Sequence, residues 1–355
     1  MISVLIFILI LAILVLVHEW GHFIVAKKSG LVVEEFGFGF PPKIFGWKIG
    51  KTLYSINLLP LGGFVKILGE DGTEANNPES FASRSVGTRS LIIIGGVLMN
   101  FLLATFIFIL GYNIGLPTVI DETNIAKARN VAVQIVAVAP ESPAVKAGLT
   151  LGDIIKKFNN TEIKEISELQ NYTKTTAGNP MKLLIQRGSE IRELYITPRS
   201  NPPTGEGPLG IVLVKIGIVS FPWYQSIWLG TKSAFLITWT VILGFFSLLK
   251  NLILAGRVPL EIAGPVGIAV LTKQAAGLGF AYLMQLVAII SINLAVLNLV
   301  PFPALDGGRL LFLGIEKIKG SKVNPKIENT IHGIGLALLL LLIVLITWRD
   351  ILRLK

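Results

Sequence analysis

The sequence predicts a polytopic α-helical membrane protein of about four transmembrane helices, with a membrane-associated β region after the first helix and an αβ module inserted after the second. Three observations carry this. The 355 residues are 52% hydrophobic and 15% charged, with a mean hydropathy of +0.69, which puts most of the chain in lipid. Long stretches carry no charge, and Lys and Arg crowd near their ends, where they meet anionic headgroups and set topology. Between these stretches, residues 27–90 and 121–200 turn β-rich and more polar. The formal charge of +10 comes without a basic stripe interleaved with aromatics, so no nucleic-acid partner is expected. There is no cysteine, hence no disulfide framework and no thiolate metal site; any metal ligands must be histidine or carboxylate.

Residues 1–26 read as the first transmembrane helix, retained because a basic n-region and an A-x-A cleavage site are lacking. Residues 2–17 contain no charge and one hydroxyl, Ser3, and the run ends at Lys27 and Lys28. Within it lies His18-Glu19-Trp20-Gly21-His22, the pattern H-E-x-x-H. On a helix, positions i and i+4 share a face, so both imidazoles can hold one zinc with Glu19 as the general base of a hydrolase. At about 1.5 Å per residue the motif starts roughly 24 Å into an apolar core about 30 Å thick. The bland alternative is a pair of packing histidines. Three unpaired polar side chains on one apolar helix would be costly, which favours the metal.

Residues 31–69 mix Val32, Val33, Phe36, Phe38 and Phe40 with Gly37, Gly39, Pro41 and Pro42, and Thr52 to Leu59 is β-branched and aromatic. Two or three short strands against the membrane face are expected, with an edge able to pair with an extended substrate. A polar linker, 70–90, precedes the second span, 91–112, which contains Gly95, Gly96 and Asn100; small residues allow close helix approach, and an Asn in hydrocarbon seeks a partner. In 121–200, the runs 131–138, 154–158, 181–186 and 192–197 read as strands, and 142–147 and 167–175 as short helices. The stretch Ala139-Pro140-Glu141-Ser142-Pro143-Ala144-Val145-Lys146-Ala147-Gly148-Leu149, followed by Gly152-Asp153-Ile154-Ile155, resembles a PDZ domain of bacterial proteases. Such a domain implies either a peptide ligand taken as an added strand or a steric gate. After a Gly/Pro-rich connector, residues 221–280 hold an apolar segment, 227–249, which hydropathy alone marks as a span. The third transmembrane helix and its LDGG motif occupy 281–309, and the fourth helix 331–350.

A catalytic zinc needs three protein ligands. His332 is the one remaining histidine, without an acidic or histidine companion; Asp306 stands at a Gly-Gly turn where backbones can approach closely, though alone it reads more readily as a helix-end carboxylate in solvent. HEWGH, the segment Asn298-Leu299-Val300-Pro301-Phe302-Pro303-Ala304-Leu305-Asp306-Gly307-Gly308 and the PDZ module between them together resemble the site-2 protease family, in its bacterial RseP-like (RasP-like) group of intramembrane zinc metalloproteases. The resemblance spans nearly the whole chain. It implies Zn2+ held by His18, His22 and Asp306, Glu19 as general base, and a substrate site shaped by Asn298 and Pro301. It also singles out Gly62 and Gly63 in the β region, and Asn100 in Gly96-Val97-Leu98-Met99-Asn100, where the family usually reads G-P-x-x-N.

The implied reaction is hydrolysis of a peptide bond in or beside the transmembrane segment of a single-span membrane protein, such as an anti-sigma factor or a remnant signal peptide, in regulated intramembrane proteolysis. The expected location is the bacterial cytoplasmic (inner) membrane. Residues 27–90 carry eight Lys and Arg, which places this loop and the active site towards the cytoplasm and the PDZ module outside. For Asp306 to meet HEWGH, the helix ending at Leu299 must run inward like the first, so 227–249 is expected to lie at the interface or re-enter. Arg349, Arg353 and Lys355 weigh mildly against the external C-terminus that follows. The rival readings are a PDZ scaffold with an inactive HEWGH and a metal transporter; the latter would need polar residues through several spans, and they are scarce.

Overall fold

The computed structural model describes residues 2–121, 124–255 and 264–353. Position 257, part of the 221–280 segment, and Lys355 lie outside them. The chain packs as two units. One takes residues up to Ile107, 231–270 and from Val287 onward; the other takes 108–230 and 271–286.

In the first unit, helix α1 (Ile2–Lys28) ends where Gly30 adopts a φ of 73° and the amide of Leu31 returns to the carbonyl of Ala26 (3.0 Å). Strands β1 (Val33–Ile49) and β2 (Thr52–Ile67) follow. Both are long and bent, so one stretch of β1 has two partners: Phe36 lies beside Val65 on one side and Tyr54 on the other. No further strand pairs with Gly63–Ile67 on its other edge among the described residues. Helix α2 runs from Val86 to Ile114. Ala26, Leu31, Val33, Ile67 and Ile92 form a small core joining α1, the sheet and α2. Phe23 seals it with an edge-on contact to Phe36 at 5.3 Å. Burying aliphatic side chains of this size is worth ~1.5–3 kcal/mol each, so the β region is fixed to α1 rather than hanging as a loop.

The second unit is built on a sheet of strands β3 (Leu116–Val119), β4 (Ala128–Val138), β5 (Ile154–Phe158), β6 (Thr161–Glu162), β7 (Met181–Arg187), β8 (Glu190–Ile196) and β9 (Ile211–Val219). The order is β3-β9-β4-β5-β7-β8, with β6 on β5. Helices α3 (Pro143–Lys146) and α4 (Ile166–Thr175) pack on it around Val133, Ile135, Ile155, Leu169, Leu183 and Ile185. The sequence motif here has a physical basis. Ser142 caps α3 by accepting from the amide of Val145, with Pro143 in the first turn. Asp153 is fully buried: it accepts from the Thr150 amide (2.9 Å) and takes both forks of Arg187 at 2.7 Å. The sheet exceeds the expected limits of 121–200, because β3 and β9 lie beyond them and β9 occupies an interior position.

Helices α5 (Trp223–Ala255), α6 (Pro265–Leu278), α7 (Phe280–Leu299), α8 (Asp306–Lys319) and α9 (Pro325–Arg353) complete the chain. The expected segment 281–309 is therefore two elements: Asp306 opens α8, an amphipathic helix, and does not close α7. Among the described residues five helices are long and apolar enough to cross a membrane: Val4–Lys28, Val86–Ile114, Trp223–Leu252, Phe280–Leu299 and Pro325–Leu352. Within the first unit, α7 brings Asn298 to His18 and Ser291 to Asn100, while α2 brings Ile92 to His22. These contacts make α7 run with α1 and against α2.

Candidate active site

Glycines bring α1 and α2 to backbone contact. A Cβ on Gly21 would stand 2.1 Å from the carbonyl oxygen of Gly95, and one on Gly96 would stand 2.4 Å from His22 Nε2 and 2.8 Å from His18 Cε1. The two imidazoles thus lie in a slot that any side chain at Gly96 would fill. His22 Nδ1 is 2.9 Å from the carbonyl oxygen of Ile92. A carbonyl only accepts, so the proton sits on Nδ1 and Nε2 presents a lone pair.

The third group arrives from 284 residues further on, since 306 − 22 = 284. After α7 the chain turns back sharply through Val300–Leu305, and Gly307 and Gly308 make this feasible: a Cβ on Gly307 would meet the Val300 carbonyl oxygen at 2.2 Å, and one on Gly308 the Phe302 carbonyl oxygen at 2.4 Å. That is the physical content of the LDGG motif. The turn places Asp306 Oδ2 at 3.1 Å from His18 Nε2 and 3.4 Å from His22 Nε2, and the two Nε2 atoms are 3.2 Å apart. Asp306 Oδ2 is buried and accepts no hydrogen bond.

These three edges answer the question of a metal. For zinc with ligand bonds of about 2.0–2.1 Å in a tetrahedron, the donor atoms stand about 3.3 Å apart. The donor set, two imidazoles and one carboxylate, is that of a catalytic zinc site, and a cation at the centre of the triangle would take the Nε2 lone pair of His22 and pair the buried Asp306 Oδ2. The residues fit the group.

Glu19 is not one of the converging groups. It lines, with all three of them, a cavity of about 220 Å³ whose walls include Phe64, Val65 and Ile67 of β2. The other expected site residues divide. Asn298 reaches the site, its Nδ2 3.2 Å from His18 Nε2. Gly63 adjoins Glu19, whose Cγ is 3.4 Å from a Cβ built there. Gly62 packs under the ring of Phe40. Asn100 is buried with its amide unpaired and accepts from Ser291 through its backbone oxygen (2.8 Å). Pro301 is exposed in the turn. None of Gly62, Asn100 and Pro301 lines the cavity. His332 stands apart from the triad and holds the backbone of Ala304.

Other contributors had little or no sequence signal. The Ile92 carbonyl is a backbone atom and could not be read from side chains. Arg309 on α8 pairs with Glu70, both on the cavity wall, and Arg89 of α2 pairs with Glu316 of α8 with both side chains largely buried. The second pair ties the helix carrying Asp306 to the helix that packs the histidines.

A HEXXH helix and a distant aspartate sharing one donor triangle, with a free glutamate on the same cavity and several apolar helices around them, define a metal-dependent hydrolase set in a multi-pass membrane protein. Residues 6–342 match the family model of Peptidase family M50. The chain belongs to that family. It is 31% identical to the zinc metalloprotease RasP of Oceanobacillus iheyensis, with 100% of each chain covered. It is also 31% identical to RasP of Geobacillus kaustophilus, over 98% of this chain and 97% of that one. A solved PDZ domain of an SdrC-like protein from Listeria monocytogenes matches 23% of this chain and 86% of its own at 23% identity, with a TM-score of 0.21, too low to bear on the fold.

Proposed function

We propose that the protein is an intramembrane zinc metalloendopeptidase that cleaves single-span membrane proteins in or beside their transmembrane segments. One observation carries the reading: the triangle of 3.1, 3.2 and 3.4 Å among His18 Nε2, His22 Nε2 and Asp306 Oδ2. In this reading those three residues hold the metal. When bound, zinc acidifies water and polarises the scissile carbonyl. The remaining work falls to the chain. Glu19, on the same cavity, takes the proton of the attacking water and passes it to the leaving amine. The Ile92 carbonyl fixes the His22 tautomer, and Asn298, whose side-chain amide stands beside the donor triangle, holds the adjoining substrate backbone once the His18 Nε2 lone pair is on the metal. A helical substrate hides its carbonyls in hydrogen bonds and must first unwind. The unpaired edge of Gly63–Ile67, part of whose strand forms the cavity wall, supports the extended form by strand addition.

Four further assignments belong to this proposal. The loop 27–90 and the active site lie on the cytoplasmic side of the bacterial inner membrane, as its eight Lys and Arg favour. The α5–α6 segment makes no net crossing, since α7 runs with α1, which supports four spans with an external C-terminus. Reporter fusions at residue 257 and at the C-terminus test this, a cytoplasmic signal at either defeating it. Substrates are of the anti-sigma factor or remnant signal peptide type. The αβ unit is a PDZ module with a peptide ligand: between α4 and β9 lies a cavity of about 260 Å³ lined by Ile166, Leu169, Gln170, Thr173 and residues 207–213, where, among the described residues, β9 residues 211–214 have no strand partner on the side opposite β4. The enzymatic core of the proposal is tested by incubating the detergent-purified protein with single-span peptides, with and without a zinc chelator. Chelator-sensitive cleavage within the apolar segment is expected; its absence across a broad panel favours a PDZ scaffold instead.

A further inference from the structure

Two residues before Asp306, the backbone of Ala304 adopts a φ of 78°, a left-handed conformation that L-residues avoid unless their surroundings impose it. What imposes it comes from α9. The N–H of Ala304 donates to His332 Nδ1 at 2.9 Å. The ring of His332 is itself flanked by Phe312 of α8, with centroids 5.5 Å apart. One turn along the same face of α9, a Cβ on Gly335 would meet Pro303 Cβ at 2.4 Å and its carbonyl oxygen at 2.6 Å. Helix α9 therefore grips the turn at two consecutive residues, Pro303 through a backbone-wide contact and Ala304 through one hydrogen bond. Because Nδ1 accepts, the imidazole is neutral with its proton on Nε2, the arrangement opposite to that of His22.

We infer that His332 is a positioning residue for the catalytic metal: by accepting from the Ala304 N–H it holds the left-handed turn that sets Asp306 at ligand distance from His18 and His22. The inference rests on the metallopeptidase reading above and deepens it, giving the third histidine a role that is neither ligand nor filler. The chemistry requires an acceptor at the Nδ1 position. Without one, the Ala304 N–H is left unpaired, the turn relaxes towards an ordinary backbone conformation, and the carboxylate two residues on loses its place in a triangle that tolerates displacements of only a few tenths of an ångström.

The test uses the full chain purified in detergent and two readouts that need no substrate: zinc affinity by chelator competition, and the visible spectrum after cobalt replaces zinc. His332→Leu removes the acceptor, His332→Asn keeps an acceptor oxygen near the Nδ1 position, and Gly333→Ala, where an added Cβ meets nothing within 4 Å, controls for changes to α9 itself. The expected result is a loss of roughly 10-fold or more in zinc affinity and an altered cobalt spectrum for His332→Leu, with His332→Asn and Gly333→Ala close to the unaltered protein. Unchanged affinity in His332→Leu overturns the inference. Equal losses in His332→Leu and His332→Asn also overturn it, because they reduce His332 to a space-filling residue. Failure of the unaltered protein to bind zinc defeats the metallopeptidase reading itself, and this inference with it.

Discussion

Replacing Gly96 by alanine separates the stability of the fold from the integrity of the metal site. The added methyl would stand 2.4 Å from His22 Nε2, 2.6 Å from His22 Cε1 and 2.8 Å from His18 Cε1, where 3.4 Å begins ordinary contact. The worst overlap is therefore 1.0 Å, 3.4 − 2.4, and it falls on ligand rings. Alanine gains up to about 1 kcal/mol of helix propensity over glycine, while overpacking costs about 1–3 kcal/mol. The net cost is about 0–2 kcal/mol, which a stable fold absorbs, but an imidazole displaced by about 1 Å costs on the order of 100-fold in turnover. The assay compares zinc content, thermal unfolding and cleavage of a single-span peptide for Gly96→Ala and for Gly87→Ala, a site on the same helix where the nearest atom is 3.9 Å away. The expected result is cooperative unfolding for both, with stability lowered by no more than about 2 kcal/mol in Gly96→Ala, and loss of zinc and turnover in Gly96→Ala alone. Full zinc occupancy and normal turnover in Gly96→Ala would refute the packing of the histidines against α2.

Further expectations follow from individual residues. Glu19→Gln retains zinc in metal analysis but lowers turnover by about 100-fold or more; normal turnover rules out the general-base role. Arg187→Ala leaves the fully buried Asp153 carboxylate without its partner and destabilises the αβ unit by about 3–5 kcal/mol, read as a lowered unfolding midpoint. If the melt is unmoved, the ion pair does not hold the β5–β7 junction. A zinc chelator abolishes peptide cleavage and added zinc restores it, while no restoration by zinc would point to a different metal.

Much of this was legible in sequence because the chemistry is written in side chains at fixed spacing. His18 and His22 share a helix face by the i, i+4 rule, and both lie in the donor triangle. The β4, β5, β7 and β8 strands of the αβ unit fell within a few residues of their apolar runs. What was not legible depended on backbone and on distance. The partner of His22 is a carbonyl, that of Ile92. The left-handed Ala304 is encoded in a contact with α9, and nothing in the tripeptide Ala-Leu-Asp announces it. The extent of the sheet was missed because β9 joins it across the Gly/Pro-rich connector, and the break between α7 and α8 because apolar content continues through the turn. The hydropathy of α5 matches that of a span, and its contacts with α2 descend from Ile109 to Phe101, so the parallel course of α7 and α1 requires the chain to return before α7.

The most direct measurement is X-ray absorption at the zinc edge on the purified protein, alone and as Asp306→Ala. The unaltered protein should show about one zinc per chain with imidazole nitrogens and carboxylate oxygen near 2.0–2.2 Å, and the variant should lose the metal or that oxygen. A zinc environment lacking imidazole, or one left intact by removal of Asp306, would contradict the shared site.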